Sequence, residues 1–391
     1  MSQPVIIAAR RTAIGRFLGA YSRTPSPKLG AYAIDAVLDD VPGSRDHVDE
    51  CIMGCVLQAG IGQNPARQAG LGAGLPDTLS AMTVNKVCGS GLQAVMLAAQ
   101  AIRAGDAQLV VAGGLENMTL APHMAQVRQG VKYGNAELID HMAADGLTCP
   151  FECWPMGNAA EHTASKNGIT RDEQDRYAAQ SHQRAAKATA EGWFKAEIVA
   201  LSAEQISQKT GCDTDEGFRA DSSPELLAKL RPAFSKDGTV TAGNASQISD
   251  GAAALLVASE DMARKLGVEP LARIVGAGTA GVAPKELFEA PSLGIAALLE
   301  RFGLTVADID LFELNEAFAA QLLSNIKKLK ISEERLNIGG GSIALGHPIG
   351  ASGARVLVTL LHHLKRTDAK RGVASLCLGG GNAVSMLVER D

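Results

Sequence analysis

Three residues of the sequence, Cys88, His347 and Cys377, combine a reactive type with a setting that suits nucleophilic chemistry. Cys88 stands in Asn85-Lys86-Val87-Cys88-Gly89-Ser90-Gly91, directly ahead of an apolar stretch, Gly91 to Arg103, that reads as a buried helix ended by Gly105. A thiol there faces unpaired backbone N–H groups and the positive helix end, so a lowered pKa is expected. One unit below the free value near 8.5 requires only about 1.4 kcal/mol of differential stabilisation. A small residue filling a tight strand-to-helix turn is the better reading of any lone Cys-Gly. It loses ground because two complementary residues recur at equivalent places later in the chain. These are His347, in Gly346-His347-Pro348-Ile349-Gly350, and Cys377, in Cys377-Leu378-Gly379-Gly380-Gly381. Cys88 is then the nucleophile, His347 its base and Cys377 a second proton carrier.

The elements that must position them follow an α/β alternation, with Gly-rich turns separating short apolar strands from Ala/Leu-rich helices. Leu109-Val110-Val111-Ala112 reads as a buried strand closed by Gly113-Gly114. The last quarter repeats the plan: Ser352-Gly353-Ala354 opens an apolar helix through Leu364, and Val373 to Leu378 forms a strand ending in three glycines. Asp49 to Val56 parallels Asp308 to Asn315, and Val5 to Thr12 loosely parallels Arg273 to Thr279. Three segments recurring in the same order argue for two copies of one unit flanking an insertion. If so, the three reactive residues all lie at strand-end turns, where ligands of α/β sheets gather. The middle, roughly 119–249, is more polar and irregular. Thr170 and Glu173 form a capping box for a helix running to Gly192, expected to be a solvated cover.

Composition narrows the class. The chain has 391 residues, 37 Lys plus Arg against 42 Asp plus Glu, and 46% hydrophobic residues, which suits two or three globular units with ample core. A net charge of -5 without a basic block argues against nucleic acid or an anionic membrane surface as partner. No apolar run reaches the ~18 residues of a membrane span. The seven cysteines are odd in number and scattered, so reduced thiols in a cytoplasm-like compartment are expected, or an organelle matrix if a leader has been removed. Cys51/Cys55 and Cys149/Cys153 are spaced C-x3-C. Cys51 to Cys55 reads as strand, where residues four apart lie about 13 Å from each other, too far to share an ion. The second pair is less decided by its sequence, and no metal is expected. No G-x-x-x-x-G-K-[ST], H-E-x-x-H or G-x-S-x-G motif occurs.

The chain resembles the thiolases over essentially its whole length. The resemblance rests on Val56-Leu57-Gln58-Ala59-Gly60 with Gln63-Asn64-Pro65-Ala66-Arg67, on Asn85 to Gly91, and on Gly113-Gly114-Leu115-Glu116-Asn117-Met118. It continues in Gly238 to Ser246, Asn315-Glu316-Ala317-Phe318, Gly346-His347-Pro348 and Cys377 to Gly381. It implies duplicated βαβαβαββ units in a five-layer αβαβα arrangement with an inserted loop domain. The units expected are 1–118 plus 250–270, a loop domain at 119–249 covering the coenzyme A site, and 271–391. It also implies acetyl-CoA C-acetyltransferase activity through an acyl-cysteine, or broader-chain 3-ketoacyl-CoA thiolysis. A binding module without turnover is the reading from another class. Acetyl-CoA, acetoacetyl-CoA or other 3-ketoacyl-CoA and free CoA are the implied partners, with no permanently bound cofactor and a homodimer or homotetramer.

By the same resemblance, an enolate oxygen is met by His347 and a water held by Asn315, and a tetrahedral oxyanion by the N–H groups of Cys88 and Gly379. Ser246 is expected to bond the pantetheine arm, Leu147, Met156, Phe234, Ala317 and Phe318 to line its tunnel, and Arg219 to lie near the nucleotide end. Three departures bear on coenzyme A packing and chain length. Pro155 precedes Met156-Gly157 where short-chain members commonly carry His, Gln247 replaces the usual Gly, and Glu286 to Pro291 differs from the common Gly-x-Gly-Pro stretch.

Overall fold

The computed structural model describes residues 2–390; the expected outer limits of two units, Met1 and Asp391, lie outside the described residues. In chain order the first half runs β1 (Pro4–Thr12), α1 (Ser26–Asp39), β2 (Glu50–Gly54), α2 (Pro65–Gly72), β3 (Ser80–Val84), α3 (Ser90–Ala104) and β4 (Leu109–Asn117). An irregular stretch carrying α4 (Met156–Asn167) and α5 (Arg171–Ala190) precedes β5 (Ser249–Ser259). The second half runs β6 (Ala272–Gly281), α6 (Ala290–Arg301), β7 (Leu311–Leu314), α7 (Ala319–Leu329), α8 (Ile349–Thr367), β8 (Arg371–Leu378) and β9 (Asn382–Glu389).

Strand pairing repeats between the halves. Strand β2 lies parallel to β3 on one side and β4 on the other, β4 is antiparallel to β5, and β5 to β1. Likewise β7 is parallel to β8, β8 antiparallel to β9, and β9 to β6. The counterpart of β3 is reduced to one parallel bridge, Phe312 to Leu336. The halves join where Val5 pairs Arg273 and Ile6 pairs Ala272.

Alternation along the strands builds the layers, because successive side chains point to opposite faces. Val5, Ile7, Cys51, Met53, Leu109 and Val111 pack with α1 and α2. Ile6, Ile52, Val110 and Ala112 pack instead with α3 and α8, which also meet Ile274, Leu376, Val384 and Met386 of the second half. Val373, Leu387, Phe312 and Leu314 face α6 and α7. The result is helix, sheet, helix, sheet, helix, the arrangement expected from the resemblance.

Helices α3 and α8 touch through their first turns. A Cβ on Gly91 would lie 2.7 Å from the Ala354 nitrogen, and one on Gly353 would lie 2.3 Å from the Leu92 nitrogen, so only glycine permits this approach. The two loops that lead into these helices, one carrying Cys88 and the other His347, are thereby drawn together.

Two sequence expectations are corrected. Gly113-Gly114 do not close the strand, which continues to Asn117. A Cβ at Gly113 would lie 2.1 Å from the Ala253 carbonyl oxygen, and one at Gly114 2.2 Å from that of Gly350, so these glycines admit neighbouring backbone instead of turning the chain. Helix α8 starts at Ile349, ahead of Ser352, because Pro348 at its N-cap leads straight into the helix. Helix α5 has its capping box, yet its inner face buries Gln174, Asp175, Tyr177, Ser181 and His182. Tyr177 and Ser181 donate to the Glu316 carboxylate at 2.8 and 2.7 Å, so this cover is bonded to the residue beside Asn315.

Candidate active site

Cys88 sits in a tight turn between β3 and α3. Val87 is held at φ 47°, a left-handed conformation unfavourable for a β-branched residue. Neighbouring side chains hold it there: Val87 N–H donates to Asn85 Oδ1 at 3.0 Å, Lys86 N–H to Ser90 Oγ at 2.8 Å, and Ser90 Oγ to the Val87 carbonyl at 2.6 Å. Asn85 and Ser90 in the Cys88 motif are thus turn-forming residues. Strained backbone held by its surroundings is characteristic of functional sites.

His347 is reached from the second half, ahead of α8, and Cys377 and Gly379 from the end of β8. Cys88, His347, Cys377 and Gly379 line one cavity of about 600 Å³, with Ser246, Leu147, Met156, Phe234, Ala317 and Phe318 in its walls. Asn315 is buried behind His347, its Nδ2 3.4 Å from His347 Nε2. Arg219 lies on the surface outside the cavity; its backbone N–H donates to His182 Nδ1 at 3.1 Å. A second cavity, of about 680 Å³ between Arg16 and Gly211, contains none of the anticipated residues.

The walls are largely apolar. Phe318 packs its ring 5.4 Å from Phe288 and 6.2 Å from Phe234, and pairs through its backbone with Ala245. Leu287, Phe288, Met118, Arg16 and Phe17 also line the cavity and were missed in the sequence. Met118 ends a quoted motif and was findable. Phe288 lies where the chain departs from the family pattern, and nothing local marks it as part of the wall. Gln247 bonds to loops around the site: its Nε2 donates to the carbonyls of Gly217, Ile343 and Ala344 at 2.8, 3.0 and 3.1 Å. Its own carbonyl accepts from His347 N–H at 3.1 Å.

Burial dominates the ionisation of the site. It pushes the Cys88 thiol up to about 12, opposed by the N–H groups of Cys88 and Gly379. The direction is opposite to the lowered pKa expected from the sequence: withdrawal of sulfur from water raises the thiol more than these N–H groups lower it. Cys377 is raised by burial and by Cys88, so the two thiols lie close enough to influence each other's ionisation. Burial, then Arg355, lowers His347 to about 3. The resting triad is neutral, and a proton passed from Cys88 to His347 would create a thiolate facing two N–H donors.

Beneath the Cys88 loop, Glu116 accepts from the N–H groups of Val56, Leu57 and Gly350 at 3.0, 3.2 and 2.9 Å, tying the first half to the start of α8. Cys51 and Cys55 are buried in or beside β2, while Cys149 is buried and Cys153 exposed. No group of three or more His, Cys, Asp or Glu suited to a metal occurs among the described residues.

A duplicated α/β fold whose central helices and one strand end bring two cysteines and a histidine into one apolar cavity suits an enzyme that handles acyl groups on sulfur. The sequence matches the models for the thiolase N-terminal domain over residues 4–261 and the thiolase C-terminal domain over residues 268–390, and the chain belongs to the thiolase family. It is 52% identical to an acetyl-CoA acetyltransferase of Chromobacterium violaceum over 98% of this chain and 99% of that one. It is 50% identical to the Escherichia coli acetyl-CoA acetyltransferase over the full length of both, and 49% identical to a probable acetyl-CoA acyltransferase of Staphylococcus aureus. The crystal structure of the Bacillus anthracis acetyl-CoA acetyltransferase superposes with a TM-score of 0.97 at 41% identity, covering 100% of this chain and 99% of that one.

Proposed function

We propose that the chain transfers acetyl groups between acetyl-CoA molecules, condensing two into acetoacetyl-CoA and CoA and catalysing the reverse cleavage. The observation that carries this reading is the meeting of Cys88, Cys377 and His347 in one apolar cavity. In the first half-reaction the Cys88 thiol passes its proton to His347 as sulfur attacks the thioester carbonyl. The carbon–sulfur bond to CoA breaks, and the departing CoA thiolate takes the Cys377 proton, which leaves a Cys377 thiolate beside protonated His347. Sulfur suits this step because an acyl-cysteine is itself a thioester, so exchange with CoA is nearly isoenergetic. The N–H groups of Cys88 and Gly379, which already oppose the rise in the Cys88 pKa, would meet the oxyanion.

In the second half-reaction the Cys377 thiolate removes the α-proton of a second acetyl-CoA and becomes a thiol again. The enolate carbon attacks the acetyl-Cys88 carbonyl, and Cys88 leaves as thiolate and takes back the proton held by His347. His347, backed by Asn315, supports the enolate oxygen. Cys377, buried in the cavity wall beside Cys88, is placed to shuttle that proton. The apolar cavity fits a pantetheine arm better than a charged ligand. We assign Ser246, Leu147, Met156, Phe234, Ala317 and Phe318 to that arm and Arg219, on the surface, to the nucleotide end.

We further infer units at 1–118 plus 250–270, 119–249 and 271–391, with 119–249 covering the coenzyme A site. Assembly as a dimer or tetramer is supported by the sheet edge at β3, where Met82 is exposed. No helix among the described residues is long and apolar enough to cross a membrane. We assign the chain to the cytoplasm on its odd, scattered cysteine set. Broader-chain 3-ketoacyl-CoA cleavage is the second reading, favoured by the relatives named as acyltransferases.

Acylation and condensation can be separated. Cys88→Ala should abolish CoA release from acetoacetyl-CoA and reduce iodoacetamide labelling to that of exposed Cys153. Cys377→Ala should still acquire acetyl on Cys88, seen by intact mass, while losing carbon–carbon bond formation. Full turnover by either variant refutes the assigned roles.

A further inference from the structure

Behind the cavity wall, a line of buried polar groups runs into His347 from α8. Arg355 is buried and its Nη2 lies 3.0 Å from Ser342 Oγ. Ser342 Oγ lies 2.6 Å from Asn315 Oδ1, and Asn315 Nδ2 lies 3.4 Å from His347 Nε2. On the other side of the ring, His347 Nδ1 lies 2.6 Å from Ser352 Oγ, which lies 2.9 Å from the Pro348 carbonyl oxygen.

Donor and acceptor accounting gives this line one direction. A guanidinium only donates, so Ser342 accepts from Arg355 and its single proton goes to Asn315 Oδ1. The Asn315 amide is thereby oriented with its NH2 toward His347, and Nε2 must be the acceptor. The Pro348 carbonyl also accepts from the N–H groups of Ala351 and Ser352 at 2.9 and 2.8 Å, so the Ser352 hydroxyl is free either to donate to it and accept from Nδ1–H or to donate to Nδ1. The opposite tautomer would set Nε2–H against the Asn315 NH2. The Asn315 end of the ring selects the state, and the Ser352 end accommodates it.

We propose that Ser342 and Arg355 are positioning residues that orient the Asn315 amide and thereby hold neutral His347 as the Nδ1–H tautomer, with Nε2 unprotonated and able to take a proton. Neither residue lines the cavity, and neither belongs to the motifs that carry the family resemblance. The inference rests on the proposed acyl transfer only for its kinetic consequence. The tautomer is a property of the ligand-free protein.

The test uses Ser342→Ala, which removes the hydroxyl without adding bulk, and Ser342→Thr, which restores it. With ¹⁵N-histidine labelling, His347 of the natural chain is expected to show a pyrrole-like Nδ1 and a pyridine-like Nε2. Ser342→Ala should give a mixture of tautomers and lower kcat roughly tenfold, about the value of one orienting hydrogen bond, with KM for acetyl-CoA within twofold. Ser342→Thr should recover the single tautomer and most of kcat. A natural chain with Nε2–H overturns the proposal, as does Ser342→Ala with an unchanged tautomer, whatever its rate. If the natural chain shows the expected tautomer but does not turn over acetoacetyl-CoA, the proposed function fails while this assignment stands.

Discussion

Replacing Phe288 by alanine should lengthen the acyl chain that the enzyme accepts. Phe288 is only 2% exposed, packs on Phe318, and belongs to the same buried cluster as Cys377. Its carbonyl accepts from Asn325 Nδ2 at 2.8 Å, and the next residue, Glu289, is bound by Lys328 at 2.7 Å and Lys166 at 3.1 Å. This wall is anchored on several sides, so it does not step aside for a longer substrate. Removing the ring opens dry space in the wall of the cavity that holds both cysteines. Each methylene that moves from water into such space gains about 0.8 kcal/mol, or roughly fourfold in kcat/KM. Two more methylenes should therefore raise the preference for 3-ketohexanoyl-CoA over acetoacetyl-CoA by roughly fifteenfold relative to the natural chain. The stability cost is about 3 kcal/mol, at the low end for a buried Phe because the void adjoins an existing cavity. Thiolysis rates for the two substrates, measured on protein shown to be folded by its thermal midpoint, supply the ratio. A ratio within twofold of the natural value would mean that Phe288 does not bound the acyl group.

Two further expectations concern stability around the site. His363 is buried with neither ring nitrogen hydrogen-bonded among the described residues, packs against Trp193 and Phe194, and is lowered to about 3 by burial and then Arg366. Between about pH 6.5 and 3 the unfolded chain takes up a proton that the folded chain refuses, so this residue's contribution to stability falls as pH drops, by up to about 1.4 kcal/mol per pH unit. His363→Gln should flatten the loss of thermal midpoint on acidification, and an unchanged slope would exclude His363 as a source of it. Gln247→Ala removes the amide shared by three carbonyls and should destabilise by about 1–3 kcal/mol. Calorimetry showing no drop would mean that water replaces those bonds at no cost.

Much of the fold was legible because its signals are local. The α3 boundaries follow from a continuous apolar run ended by Gly105, which adopts φ 88°. The recurrence of Asp49 to Val56 in Asp308 to Asn315 becomes two equivalent parallel strands, β2 and β7. Reading Gly113-Gly114 as a strand end failed because their reason for being glycine lies in β5 and α8, far away in sequence. Phe288 and Gln247 were opaque for the same reason: an ordinary residue type gains its role from segments that reach it only after folding.

The sequence by itself determined which residues can react, that they recur in paired units, and that the chain resembles a family whose chemistry uses a cysteine. Those features reside in residue type and spacing, which folding leaves unaltered. Only the tertiary structure decided that Cys88, Cys377 and His347 share one cavity and that burial raises the two thiols and lowers the imidazole. Ionisation and hydrogen-bond direction depend on what surrounds a group, and here the surroundings come from both halves of the chain, locked together where Gly91 meets the first turn of α8.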